Sequence, residues 1–370
     1  MLRPDLPALI AISTPALIVD QIALDANIAR MAQIATRCGV KLRPHAKTHK
    51  SAFIAGKQLA NGAIGIACAT LSEAEALAAA GVTGLLITSP IVGADKIARL
   101  VRLNRERPLA VVVDHPSHVE ALAAALASGE PPLEILVDVD IGQGRTGVAN
   151  GQDGVALARM VADQPQLAFR GLQGYAGHIQ HIIDGEERQV AAARSGEQLR
   201  AVVAGLAAAG LNCQVISGSG TGAHTFDASG PYTEWQVGSY VFMDADYGRI
   251  RQADGERLPF APALFVLATV VSVNQPGQIT IDAGTKALAT NGPPPDCFRG
   301  LPDGCSYAFG GDEHGIITLP SAITPPPLGT RVLVGATHCD PTVNLHACYH
   351  VVDSSGVVTA VPILGRYGAG

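Results

Sequence analysis

The residues whose types could do chemistry concentrate in Arg43-Pro44-His45-Ala46-Lys47-Thr48-His49-Lys50. Three cations and two histidines fall within these eight residues, directly after a strand-like stretch, Val40-Lys41-Leu42. A lysine in a cationic field holds its proton less tightly than a free one. A neutral amine is the form that attacks a carbonyl to make a Schiff base. Taken alone, the segment also reads as a solvated basic loop after a strand, so its surroundings must decide.

A second group lies near the other end, in Gly335-Ala336-Thr337-His338-Cys339-Asp340-Pro341-Thr342-Val343-Asn344. On an extended strand, residues i and i+2 share a face. His338 and Asp340 would then point one way and Cys339 the other. Imidazole plus carboxylate with open positions suits Mn²⁺, Mg²⁺ or Zn²⁺, although the same spacing also serves a hydrogen-bonded structural pair. Gly311-Asp312-Glu313-His314-Gly315 reads as loop, interface or supporting structure, and Asp282 with Lys286 as a structural ion pair or a dimer contact.

The elements that must position these groups follow from the hydrophobic pattern. Short β-branched runs near residues 39–43, 63–67, 84–88, 109–114, 133–138, 168–173, 213–217 and 234–239 alternate with Ala-rich amphipathic stretches. Such alternation predicts βα units on a parallel sheet, and eight repeats predict an α/β fold of the (β/α)8 TIM-barrel type. An open doubly wound sheet is the alternative, weakened because no GxGxxG opens a helix after the first strand. Beyond about residue 255 helical patterning stops, and strands separated by Pro- and Gly-rich turns predict an all-β C-terminal domain. The run Thr14–Asp20 precedes the eight repeats and is expected to pair with it. The expected division is a barrel over residues 21–255 and a β domain over 1–20 and 256–370.

With 370 residues, a net charge of −6 and no long charge run, nothing points to a nucleic-acid groove or a membrane patch. Seven scattered cysteines without a CxxC pair favour neither a disulfide framework nor a cysteine zinc site. No apolar run reaches the ~18 residues a membrane span requires, and no signal peptide is legible. A cytoplasmic enzyme is expected.

In a (β/α)8 enzyme the chemistry sits at the C-terminal ends of the strands. Lys47 follows the first strand and Thr70 the second. Asp138, Asp140 and Arg145 follow the fifth, and Tyr175, His178 and His181 the sixth. Ser217-Gly218-Ser219-Gly220-Thr221-Gly222 follows the seventh, and Gly238-Ser239-Tyr240 the eighth. Loops after the last two strands are the usual phosphate site of such barrels, and glycine- and hydroxyl-rich loops let backbone N–H groups approach a phosphate. A phosphate-bearing cofactor, a lysine and a tyrosine able to stack suggest pyridoxal phosphate.

Six segments in one order resemble the D-threonine aldolase and D-serine dehydratase group of fold-type III pyridoxal phosphate enzymes, which pair an alanine-racemase-like barrel with a β domain. They are Arg-Pro-His-Ala-Lys47-Thr-His-Lys, Gly-Tyr175-Ala-Gly-His178, Gly-Ser-Gly-Thr221-Gly, Gly238-Ser239-Tyr240-Val-Phe-Met-Asp244, Gly311-Asp-Glu-His314-Gly and His338-Cys-Asp340-Pro-Thr-Val-Asn344. The resemblance implies Lys47 as the Schiff-base lysine, Arg145 and Tyr175 on the cofactor ring and its substituents, and Ser217–Gly222 with Gly238–Tyr240 on the phosphate. It implies His338 and Asp340 on a divalent metal beside the substrate β-hydroxyl, His181 as the acid–base partner, and a homodimer. Dehydratases of the group tend to carry His-x-Cys at the metal. Asp340 in that second position, a harder oxygen donor, favours Mn²⁺ or Mg²⁺ over Zn²⁺ and resembles the aldolase branch. The implied reaction is retro-aldol cleavage of a β-hydroxy-D-amino acid, D-threonine giving glycine and acetaldehyde. A D-3-hydroxyaspartate aldolase, a D-serine or D-3-hydroxyaspartate dehydratase, and a non-catalytic pyridoxal phosphate carrier are the alternatives.

Overall fold

A computed structural model describes residues 2–321 and 323–367. The chain forms two compact units. One comprises the chain up to Met31, Ser239–Arg249 and Arg257–Ile363; the other comprises Ala32–Gly238, Ile250–Glu256 and the described residues from Leu364. The first strand, β1 (Ala16–Asp20), belongs to the first unit.

The next eight strands build the second unit: β2 (Lys41–Leu42), β3 (Ile66–Cys68), β4 (Leu85–Ile87), β5 (Ala110–Val113), β6 (Leu133–Asp138), β7 (Leu167–Gly174), β8 (Val215–Gly218) and β9 (Glu234–Trp235). Neighbouring strands pair in parallel in the order β2-β9-β8-β7-β6-β5-β4-β3. A parallel bridge between His45 and Ala67 joins the two ends, with Ala67 N–H donating to Pro44 O at 2.9 Å. Runs such as Ala110–Val113 are buried throughout, as parallel strands covered on both faces must be. Each expected strand is present, the last shorter than expected.

The connecting helices start where short polar side chains cap them. Thr70 accepts Glu73 N–H at 3.2 Å, Asn150 accepts Asp153 N–H at 2.9 Å and Asp184 accepts Glu187 N–H at 2.8 Å. Thr70 therefore stands at the rim as a helix cap.

In the first unit β1 pairs antiparallel with β10 (Leu264–Ser272) and parallel with the strand Cys348–Val352, as the position of Thr14–Asp20 suggested. These belong to a nine-stranded sheet with β11 (Gln278–Ile281), β12 (Phe298–Arg299), β13 (Ser306–Phe309), β14 (Gly315–Thr318), β15 (Arg331–Gly335), β16 (Cys348–Val352) and β17 (Val358–Pro362). Leu9, Ile18, Phe265, Leu267 and Leu333 form its core.

One expectation fails here. The chain around His338 is not a continuous strand: β15 ends at Gly335, and a helix runs over Cys339–Leu345 with His338 as its extended N-cap. Asp340 and Pro341 occupy the first helical turn, where an acidic side chain suits the helix dipole and a proline costs no hydrogen bond.

Candidate active site

Beyond β2 the chain tightens into a one-turn 3-10 helix, Ala46–Thr48, which leaves Lys47 half-buried at the C-terminal end of the strand. His45 holds this turn. Its Nδ1 accepts the Lys47 N–H at 3.3 Å, and its Nε2 lies 3.1 Å from Thr88 Oγ1, just past β4. Gly238 borders the same turn: a Cβ there would lie 2.7 Å from Thr48 Oγ1, so only glycine lets the end of the last strand close in.

The cationic field expected around Lys47 is largely compensated. Arg43 pairs with Glu234 at 2.8 Å, and Lys50 pairs with Glu73 at 2.5 Å, with side chains only 9% and 3% exposed in the latter pair. Glu73 also accepts Ala69 N–H at 2.7 Å, and Lys50 donates to Gly365 O at 3.2 Å. Removing one partner of a buried pair strands the other charge. Glu73→Gln is therefore expected to destabilise the fold by about 3 kcal/mol, read as a lower urea midpoint at unchanged slope.

Polar side chains inside the barrel form a continuous strut. Gln173 donates to Asp138 at 2.8 Å and to Thr88 O at 3.1 Å, and accepts from Gln236 at 3.0 Å. Gln236 donates to Ser217 at 2.9 Å, and Ser217 donates to Glu234 at 2.7 Å. The single Ser217 hydroxyl proton is thus committed to Glu234. What Ser217 offers a phosphate is the position of its backbone. Burial raises the Asp138 carboxyl above its ordinary value, against hydrogen bonds from Gln173 and Thr146.

The segment Gly218-Ser219-Gly220-Thr221-Gly222 is packed and buried, not a flexible turn. Ser219 holds a left-handed backbone at φ 64°, which costs a non-glycine residue roughly 1–2 kcal/mol. Gln180 braces the loop, its Oε1 accepting Gly222 N–H at 2.9 Å and Ala223 N–H at 3.2 Å. Any side chain at Gly222 would run into the Gln180 carbonyl. The non-glycine left-handed residues among those described are Lys50, Ser219 and Met243. In sequence they fall three residues after Lys47, in this loop and three residues after Tyr240.

Arg145 is exposed and lies over the Tyr175 ring, 5.7 Å from its centroid. Asp140 turns the chain toward Arg145 by accepting three backbone N–H groups, from Gly142, Gln143 and Gly144, at 2.9–3.1 Å. Burial works to raise its carboxyl, but these donors outweigh it and the net shift is downward. His178 stands against Gly142. His181 follows in the next turn, exposed to solvent.

In the first unit, Ser239 and Tyr240 are buried, and the Tyr240 ring packs on Phe260 at 5.7 Å. His338 Nδ1 lies 3.0 Å from the Asn291 side-chain amide. Asp244 receives N–H bonds from Tyr247 at 2.9 Å and Cys339 at 2.8 Å. Cys339 is buried, and burial pushes its thiol well above the ordinary value, with the charges of Asp244 and Asp340 adding to the effect. The Cys339 thiol is turned to Met243 O at 3.6 Å, a direction set by the helix and not by strand alternation.

The profile described as alanine racemase, N-terminal domain matches residues 19–246, and a serine dehydratase domain matches residues 263–352. The D-threonine aldolase of an Arthrobacter species is 40% identical, the alignment covering 90% of this chain and 88% of that one. The chain belongs to the D-threonine aldolase and D-serine dehydratase family. A 3-hydroxy-D-aspartate aldolase of Paracoccus denitrificans (strain Pd 1222) is 37% identical over 98% of this chain and 95% of that one. The crystal structure of the D-threonine aldolase from Filomicrobium marinum superposes with a TM-score of 0.91 at 39% identity, covering 98% of each chain. This is the fold-type III pyridoxal phosphate architecture.

The donor set fits the family's cofactor. A primary amine, a guanidinium, a phenol and a glycine-rich loop lie at the ends of parallel barrel strands. Beside Lys47 the fully buried Thr48 hydroxyl has no hydrogen-bond partner among the described residues, as a group awaiting a ligand or water would. An imidazole at His338 and a carboxylate at Asp340 are donor types that suit a divalent metal; no group of three or more His, Cys, Asp or Glu that could hold a metal occurs among the described residues.

Several residues that brace these segments escaped the sequence. His45 lay inside the quoted motif with no role. Thr88 is the polar end of an apolar strand, and Gln180 sits between two histidines. Asp227 is held up at about 7 by burial, against a hydrogen bond from Ser219. An aspartate raised in the folded state binds its proton more tightly there than in the unfolded chain. As pH rises from the ordinary value of 3.8 toward 7, the unfolded chain loses its proton first and stability falls. Above 7 the full cost persists, at most roughly 4 kcal/mol. Asp227→Asn should stabilise the protein at pH 8 and gain clearly less at pH 5 in urea unfolding; an equal gain at both would mean that Asp227 does not titrate there.

Proposed function

We propose that the protein is a pyridoxal phosphate- and divalent-metal-dependent aldehyde-lyase that cleaves β-hydroxy-D-amino acids, converting D-threonine into glycine and acetaldehyde. The observation that carries this reading is the full-length likeness to a D-threonine aldolase structure, in a chain that has Lys47 on a barrel rim and Asp340 two residues after His338.

Each residue then has a task. Lys47 Nζ holds the cofactor and afterwards holds or delivers the proton at Cα. Arg145 and Tyr175 orient the ring and its substituents, and backbone N–H groups of Gly218–Thr221 with Gly238, Ser239 and Tyr240 bind the phosphate. When bound, pyridoxal phosphate supplies an electron sink for the pair released at Cα. His338 and Asp340 would hold the divalent ion, which supplies positive charge that lowers the pKa of the β-hydroxyl. His181, open to solvent, takes the hydroxyl proton and passes it to water. Mn²⁺ or Mg²⁺ suits this oxygen-bearing pair better than Zn²⁺. A homodimer in the cytoplasm completes the reading. No helix among the described residues is long and apolar enough to cross a membrane.

The test is turnover with Mn²⁺ present. Glycine and acetaldehyde from D-threonine support the aldolase. Faster glycine release from D-3-hydroxyaspartate would move the substrate to that amino acid. Pyruvate and ammonia from D-serine would replace cleavage by dehydration, and no turnover of any of these would leave a cofactor carrier.

A further inference from the structure

We propose that His45 is the positioning residue of Lys47: held in one tautomer by Thr88, it fixes the turn that presents the lysine amine. This rests on the reading of Lys47 as the cofactor-bearing residue.

The proton count along the chain of contacts leaves one arrangement. The Cys68 carbonyl can only accept, and the Thr88 hydroxyl donates to it at 3.1 Å. Thr88 Oγ1 therefore accepts from its other neighbour, His45 Nε2 at 3.1 Å, which must carry a hydrogen. On the other side the Lys47 backbone N–H can only donate, so His45 Nδ1 must present a lone pair. One neutral tautomer, Nε2–H, meets both demands. The opposite tautomer or the imidazolium would set an N–H against the Lys47 N–H.

The relay is anchored in the barrel wall. Thr88 N–H also donates to Cys68 O at 2.9 Å, and Thr88 O accepts from Gln173 at 3.1 Å, so the neighbouring β3 and a side chain of β7 both hold it. His45 and Thr88 are 8% and 9% exposed, which leaves little room for water to replace either contact. With both ring nitrogens engaged, His45 is placed to orient its neighbour, not to exchange protons with substrate.

Side-chain isosteres separate this role from space filling. Asparagine can place its carbonyl oxygen where Nδ1 stands and keep the acceptor for Lys47. Glutamine can place its amide nitrogen where Nε2 stands, keeping the Thr88 contact but losing that acceptor, while nearer to histidine in volume. Full-length variants are purified, freed of cofactor and given pyridoxal phosphate. The rate of growth of the near-visible absorbance and the fraction fixed by borohydride are then measured. His45→Asn and Thr88→Ser should take up cofactor within about threefold of the parent rate, and His45→Gln and Thr88→Val should be slower by about tenfold or more, as expected when a reacting group is misplaced. Equal rates for His45→Asn and His45→Gln, or a faster His45→Gln, would overturn the proposal. If Thr88→Val does not fold, the two His45 variants decide alone. Borohydride fixation that survives Lys47→Ala would instead overturn the reading of Lys47 itself.

Discussion

Lys47→Ala is expected to lower turnover by about 10⁴-fold or more, the scale of a lost proton-transfer group, and to leave no cofactor fixed to the chain by borohydride. Lys47 differs from its two cationic neighbours in position: it sits on the 3-10 turn Ala46–Thr48 at the C-terminal end of β2. Arg43 is tied to Glu234 at 2.8 Å and Lys50 to Glu73 at 2.5 Å, both deep in the barrel unit. Lys47 is half-buried on a turn held through its backbone by His45. Because that turn is fixed by main-chain contacts, the alanine variant should keep its urea midpoint. A variant that loses activity and stability together would make Lys47 a structural residue, and one that still fixes cofactor would move the anchor to another lysine.

Much of the frame around Lys47 was legible in the sequence, and the reason is periodicity. Eight β-branched runs separated by amphipathic stretches admit few arrangements other than a parallel barrel, and the rim followed from counting strands. What escaped were the partners that arrive from far along the chain. Glu234 stands 191 residues after Arg43, and Glu73 stands 23 after Lys50. Neither carboxylate carries a local mark, so three cations in eight residues looked like an open positive field. The strut beneath the glycine-rich loop was hidden in the same way, since Gln236 and Glu234 reach Ser217 from the neighbouring strand β9 and the residues after it. At His338 the misreading was local. Strand alternation was carried past Gly335, although Asp340-Pro341 is the kind of pair that begins a helix.

That local correction sharpens the expectation for the metal. His338 is the extended residue before the helix Cys339–Leu345, and Asp340 lies in its first turn. His338 Nδ1 lies 3.0 Å from the Asn291 side-chain amide; an amide oxygen turned to it would accept Nδ1–H and make Nε2 the nitrogen for an ion. Asp340→Ala should therefore keep pyridoxal phosphate and its near-visible absorbance while losing about 10³-fold in D-threonine cleavage, the rate equivalent of the several kcal/mol a metal supplies to a developing alkoxide. Binding of Mn²⁺, followed by titration calorimetry on the cofactor-loaded protein, should weaken in the same variant. Chelator treatment of the parent should reproduce the loss, and added Mn²⁺ should restore it in the parent but not in Asp340→Ala. Cys339→Ala, by contrast, should leave Mn²⁺ affinity unchanged, because its thiol is buried toward Met243 O at 3.6 Å. Full activity in the chelated parent would remove the metal from the reaction, and a loss of Mn²⁺ affinity in Cys339→Ala would return the thiol to the ligand set.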